Sequence, residues 1–201
     1  MTRHPIEEES YRIMAERVDL SGLAPLSREV VARVIHASAD LEFATSMVLD
    51  EGELASAVVA LRHGASVVAD VGMVAAGITR WKAECFLDRC PPGAEPTRTA
   101  AAMRLAAEAR PEGALFVIGC APTALFELIS LAERGLVKPA LVIGMPVGFV
   151  GAAESKAALR ESGLPAVSNV GEKGGSAVAA AVMNALATAA RLDGQPVTGA
   201  R

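Results

Sequence analysis

Three histidines stand in the chain, and His36 is the one whose setting suits proton chemistry. It falls in VARVIHASAD (31–40), late in a helix that the apolar stripe Val30, Val31, Val34 and Ile35 predicts over 27–38, with Ser27 as its cap. The carboxyl end of a helix carries partial negative charge and favours an imidazolium there. If the helix runs on, Asp40 at i+4 adds a second negative charge on the same face. An imidazole that titrates near neutrality is a competent proton donor. On residue type alone, His36 reads more readily as a structural cap of a helix end. His4 lies in the amino-terminal segment, and His63 precedes Gly64 at a helix end, where it caps carbonyls. No two histidines have metal-ligand spacing, so no metal site is expected.

A second group of candidates is backbone. Four turns each follow an expected strand and open a helix: VGMVAAG (71–77), IGCAPTAL (118–125), IGMPVGFVGAAESK (143–156) and NVGEKGGS (169–176). In an open α/β sheet, ligands bind outside the carboxyl ends of the strands, and N–H groups at helix starts hold anions without charged side chains. Such turns on one rim would suit a ligand with several carboxylates. None of them is GxGxxG, and GEKGGS lacks P-loop spacing, so a nucleotide-binding reading has little support. By spacing alone, the glycines could equally serve only to allow tight turns.

The elements that must hold these groups follow from pattern. Pro5 suits the start of an amino-terminal helix. Asp50 and Glu53 have capping-box spacing ahead of a helix over 54–62. Strands are expected at 65–71, 84–87, 114–118, 140–143 and 166–170, and helices at 73–77, 98–109, 122–134, 153–162 and 176–191, with Thr97 capping the second of these. Short apolar strands joined by helices imply an α/β fold whose largely parallel sheet, of about five strands, is covered on both faces. The segment PPGAEP (91–96) is a loop by composition, and the tail after Arg191 is expected to fray.

Bulk properties narrow the class. A chain of 201 residues suits a single domain spanning 1–201. It is 52% hydrophobic but only 3% aromatic, so Ala, Val, Leu, Ile and Met must build the core. A formal net charge of −4 argues against nucleic acid as a partner. Cys85, Cys90 and Cys120 are odd in number and form no CxxC pattern, which suits reduced thiols in the cytoplasm. The amino terminus has no apolar core of a secretory signal, and the weakly polar run 176–190 is too short to span a membrane. A mean hydropathy of +0.36 points to surface buried against a second copy, a homodimer.

Longer strings carry a resemblance. GCAPTALF (119–126), PALVIGMPVGFVGAAESKAAL (139–159) and KGGSAVAAAVMNAL (173–186) resemble signatures of the precorrin-8X methylmutase family. PIEEESY (5–11), VARVIHASAD (31–40) and MVAAGITR (73–80) are similar to its amino-terminal segments, so the likeness covers about 5–190. It implies a three-layer α/β/α sandwich, a homodimer, and an isomerase of cobalamin biosynthesis. That isomerase moves a methyl group from C11 to C12 of a tetrapyrrole, precorrin-8X or its cobalt form, to give hydrogenobyrinate or cobyrinate. The substrate's conjugated system carries the electrons, so no cofactor is implied. By the same likeness, His36 is the catalytic residue, and Ser10, Thr79 and Arg98 touch the substrate. Arginine at a helix amino terminus is unfavourable for the dipole, and its fork fits a carboxylate. The turn of Gly119, Cys120, Ala121 and Thr123 would offer N–H groups and a hydroxyl to a substrate carboxylate. Two residues depart from the family pattern: Cys120, where asparagine is common, and Glu172, where a basic residue is common. Glu172 is expected to point away from a polyanion; Lys173 could serve as a cation, but reads more readily as a solvated lysine at a helix start. A corrinoid carrier with the same pocket and no turnover is the second reading; it would tolerate loss of His36.

Overall fold

The computed structural model describes residues 4–192; the expected fraying after Arg191 falls almost wholly outside them. Four apolar runs form the centre of the sheet: β2 (Val67–Ala69), β4 (Leu115–Ile118), β5 (Leu141–Gly144) and β6 (Ala166–Asn169). All but Ala166 among these residues are buried, as strands covered on both faces must be. With β1 (Met47–Val48) and β3 (Ala83–Cys85) they make a six-stranded sheet in the order β1-β6-β5-β4-β2-β3. All neighbouring pairs are parallel except β1 with β6.

Successive side chains alternate across the sheet, so one strand feeds two cores. Val67, Ala69, Leu115, Val117, Leu141 and Ile143 face α2 (Pro25–Ser38), α4 (Glu51–Arg62), α5 (Gly72–Gly77) and α9 (Ser176–Leu192). Val68, Phe116, Ile118 and Val142 face α6 (Arg98–Ala109), α7 (Pro122–Glu133) and α8 (Ala152–Glu161). The result is the three-layer α/β/α arrangement. Helix α1 (Pro5–Ala15) and the short α3 (Phe43–Ser46) pack on α2, and a 3₁₀ turn (Leu87–Arg89) packs on α6.

Several local expectations are corrected. The sheet has a sixth strand because Met47 and Val48 pair with Asn169 and Ser168; two residues are too few to show a period. The strand expected at 84–87 runs over Ala83–Cys85, and Leu87 already begins the 3₁₀ turn. Ser27 does not cap α2, which starts at Pro25 with no side-chain cap. The amides of Leu26 and Ser27 and the Ser27 hydroxyl go instead to the Glu51 carboxylate. Asp50 does cap α4, accepting from the Glu53 amide at 3.0 Å, but Glu53 does not return the bond. Its carboxylate takes the Ala166 amide at 2.8 Å and ties α4 to the start of β6.

Candidate functional site

His36 sits half-buried in the last turn of α2. Helix α1 supplies its surroundings, through residues 25 and 26 positions earlier. Ser10 Oγ lies 2.9 Å from His36 Nδ1, and the Tyr11 ring stacks on the imidazole with centroids 4.8 Å apart and planes 11° apart. Tyr11 hydrogen-bonds Arg33, whose guanidinium also reaches Glu7 at 2.7 Å. One contact therefore sets the rotation of the imidazole, the other sets its plane, and Nε2 has no hydrogen-bond partner among the described residues.

The expected partnership of His36 with Asp40 does not form. Helix α2 stops at Ser38, and Ala39 turns left-handed at φ 55°. Asp40 is thrown onto Lys173, whose Nζ donates to it at 2.6 Å and to Glu42 at 2.8 Å. The Lys173 ammonium holds the Asp40 carboxyl below the usual range. Lys173, read in sequence first as a solvated lysine and second as a cation for the ligand, is paired on the surface, and Glu172 is exposed.

At the carboxyl ends of β2 and β4, a buried residue missed by the sequence reading takes over. Asp70 is 1% exposed and closes β2. It accepts the amides of Gly119, Cys120 and Ala121 at 3.2, 2.9 and 2.9 Å. The N–H groups expected to greet a substrate carboxylate therefore already serve an internal one. Burial pushes the Asp70 carboxyl upward, and those amide bonds only partly offset it. An acidic residue ending an apolar run, ADVG, was the available signal. Gly119 must be glycine because an added Cβ would lie 2.9 Å from Ala179 Cβ and 3.0 Å from Ser176 Cα. The Cys120 side chain is exposed, and desolvation together with the Asp70 charge raises its thiol.

The other expected ligand residues cluster in part. Thr123 Oγ1 is 2.9 Å from Thr97 Oγ1 and 3.2 Å from Thr99 Oγ1, where the starts of α6 and α7 meet. Thr97 keeps its expected cap bond to the Ala100 amide at 3.2 Å. Arg98, next to these hydroxyls in sequence, is exposed and donates to the Leu87 carbonyl at 3.1 Å. Thr79 is exposed, and its amide and that of Arg80 donate to Asn184 Oδ1 at 3.0 and 3.1 Å. Asn184 also donates to the Gly77 carbonyl, so one buried amide on α9 shapes the whole 77–80 turn. A lone asparagine in an Ala-rich apolar helix was its signal. Among the described residues, no group of three His, Cys, Asp or Glu side chains is placed to hold a metal ion.

Comparison with known proteins points one way. Residues 5–189 match the family model of precorrin-8X methylmutase. The chain is similar to a precorrin-8X methylmutase of a Sinorhizobium species, 41% identical over 195 residues that cover 90% of this chain and 92% of that one. It is also similar to a cobalt-precorrin-8 methylmutase of Methanocaldococcus jannaschii, 41% identical over 163 residues covering 78% of this chain and 77% of that one. The crystal structure of a precorrin-8X methylmutase from Thermus thermophilus superposes with a TM-score of 0.84 at 34% identity, covering 96% of this chain and all of that one.

Proposed function

Since the chain belongs to the precorrin-8X methylmutase family and is an isomerase of cobalamin biosynthesis, we propose that its methyl shift turns on His36. The shift carries a methyl group from C11 to C12 of precorrin-8X or its cobalt form. One carbon–carbon bond breaks and another forms while the conjugated ring redistributes the electrons. What the protein must add is orientation and one positioned proton or hydrogen bond. The observation that carries this reading is the Ser10–His36–Tyr11 arrangement, in which Nδ1 is occupied and the ring plane is fixed. A held imidazole presents Nε2 at a constant point, which is what differential stabilisation of a transition state needs.

Substrate carboxylates go, in this reading, to Arg98 and to the hydroxyl cluster of Thr97, Thr99 and Thr123, with Thr79 at a neighbouring turn. Gly119, Cys120 and Ala121 lead into α7, whose first turn carries Thr123. Their amides are engaged by Asp70, so the turn contributes shape and the Cys120 side chain more than N–H donors. The weak donor strength of a thiol costs little in that role.

We also read the chain as a cytoplasmic homodimer. Its cysteines are free thiols, and no described helix is long and apolar enough to cross a membrane. Phe149 and Val150 stand 95% and 88% exposed at the carboxyl rim of the sheet, apolar area that a second copy would cover.

The test is a visible absorption time course with precorrin-8X and with its cobalt form, for the native protein and His36→Ala. Migration returns C11 to the conjugated path and makes C12 quaternary, so product formation changes the spectrum. Turnover lost in the variant supports His36 as the reacting group. Turnover retained removes it. Tight binding of both forms with no turnover by the native protein would favour a carrier.

A further inference from the structure

The string ESK in the longest family-like motif ends on a residue the mechanism above does not use. Lys156 lies on α8 with 0% of its surface exposed. Its Nζ donates to Asn169 Oδ1 at 3.2 Å and to the Lys173 carbonyl at 2.5 Å, both neutral acceptors. A buried ammonium without a carboxylate bonded to it is an expensive way to fill space, and a methionine would occupy the same volume without that cost. Burial and the nearby Arg160 push the ammonium down to about 8, with Glu172 opposing them.

What the cation holds is one carbonyl. Asn169, itself fully buried, donates Nδ2 to the same Lys173 oxygen at 2.8 Å. The loop after β6 is pressed further against the loop after β5. The Gly175 amide donates to the Met145 carbonyl at 2.9 Å, and a Cβ on Gly174 would fall 2.3 Å from that oxygen. Lys173 is therefore pinned at its main chain from inside the molecule. Its side chain then reaches outward to Asp40 and Glu42, in the segment that leaves α2 directly after its left-handed cap. Helix α2 ends with His36 in its last turn. A single residue thus links the buried cation to the end of the helix that carries the imidazole.

We propose that Lys156 is a positioning residue for the methyl shift, acting through Lys173 on the carboxyl end of the His36 helix. This rests on the reading of His36 above. The chain of contacts runs from α8 through the Lys173 carbonyl and side chain to residues 40 and 42. Without Lys156, Lys173 can shift along its loop, and the helix end loses its reference to the sheet. A displaced imidazole still lets substrate bind but meets the reacting carbon less often.

Steady-state turnover of precorrin-8X by the full-length chain tests this, with Lys156→Met, Lys173→Met and the double variant, beside His36→Ala. Inactive His36→Ala establishes the underlying reading independently of either lysine. The proposal expects each lysine variant to lower kcat about tenfold with KM within about twofold of native. It expects the double variant to be no slower than the slower single one, because both cut one chain of contacts. Native kcat in a folded Lys156→Met overturns it, and so do additive losses. Lys173 is exposed, so should Lys156→Met fail to fold, native kcat in Lys173→Met overturns the proposal by itself.

Discussion

Two regions of this molecule bear on the candidate site, around His36 and around Asp70, and they differ in what they leave unspent. Around His36, contacts from α1 take Nδ1 and one ring face and leave Nε2 open. At the ends of β2 and β4, Asp70 takes three consecutive amides of the 119–121 turn. In sequence, the second region looks the better anion site, with glycine, a strand end and a helix start together. In space it is the more nearly satisfied. The lesson is that a backbone cradle binds a ligand only if the neighbouring strand does not supply the anion first.

That contrast predicts separable effects. The largest is His36→Ala, expected to lower kcat by about 100-fold or more while thermal stability stays within a few degrees. A variant as active as native protein would collapse the distinction between the regions. Next comes Asp70→Ala, which strands three backbone donors, that of Gly119 fully buried, and should destabilise the fold by about 3 kcal/mol in denaturant unfolding. If it instead lowered kcat with unchanged stability, the second region would be catalytic and the comparison would fail.

The buried charges sharpen the contrast through pH. Asp70 has a raised folded pKa, so the folded state binds its proton more tightly than the unfolded chain does. Its contribution is full below the ordinary aspartate value and is lost as pH rises through the folded value. Lys156 has a lowered one, about 8 against 10.5, with Arg160 adding to burial and Glu172 opposing. Between those two values the unfolded chain holds the extra proton, so stability rises with pH, on the order of 1–3 kcal/mol in total. Unfolding curves at pH 7.5, 9 and 10.5 should show this rise in native protein and not in Lys156→Met. The smallest effect is Ser10→Ala. Losing one hydrogen bond to the imidazole should cost about tenfold or less in kcat, with KM little changed. A loss equal to that of His36→Ala would mean that Ser10 itself reacts.

Much of the architecture was legible because its signals are local. Short runs rich in apolar residues, each followed by a glycine turn and a helix, mark β2, β4, β5 and β6 wherever they later pack. Thr97 and Asp50 each cap the helix that follows by accepting the amide three residues on. The motif around His36 located the candidate imidazole and its helix. The sixth strand was not legible, since Met47 and Val48 become a strand only by lying beside Asn169 and Ser168. The partner of Asp40 was not legible, because i+4 proximity to His36 holds only if the helix continues, and Ala39 ends this one.

The chain by itself determined the α/β class, the order of strands and helices, the rim where turns gather and the family strings that single out His36. These depend on contacts within a few residues and on side-chain period. The tertiary structure decided which polar groups stay available. Asp70 meets amides 49 to 51 positions on, Asn184 meets the Thr79 amide 105 positions back, and Lys173 meets Asp40 across 133. A hydrogen bond is settled by distance and direction in space, and only the packed sheet brings such distant groups within reach of one another.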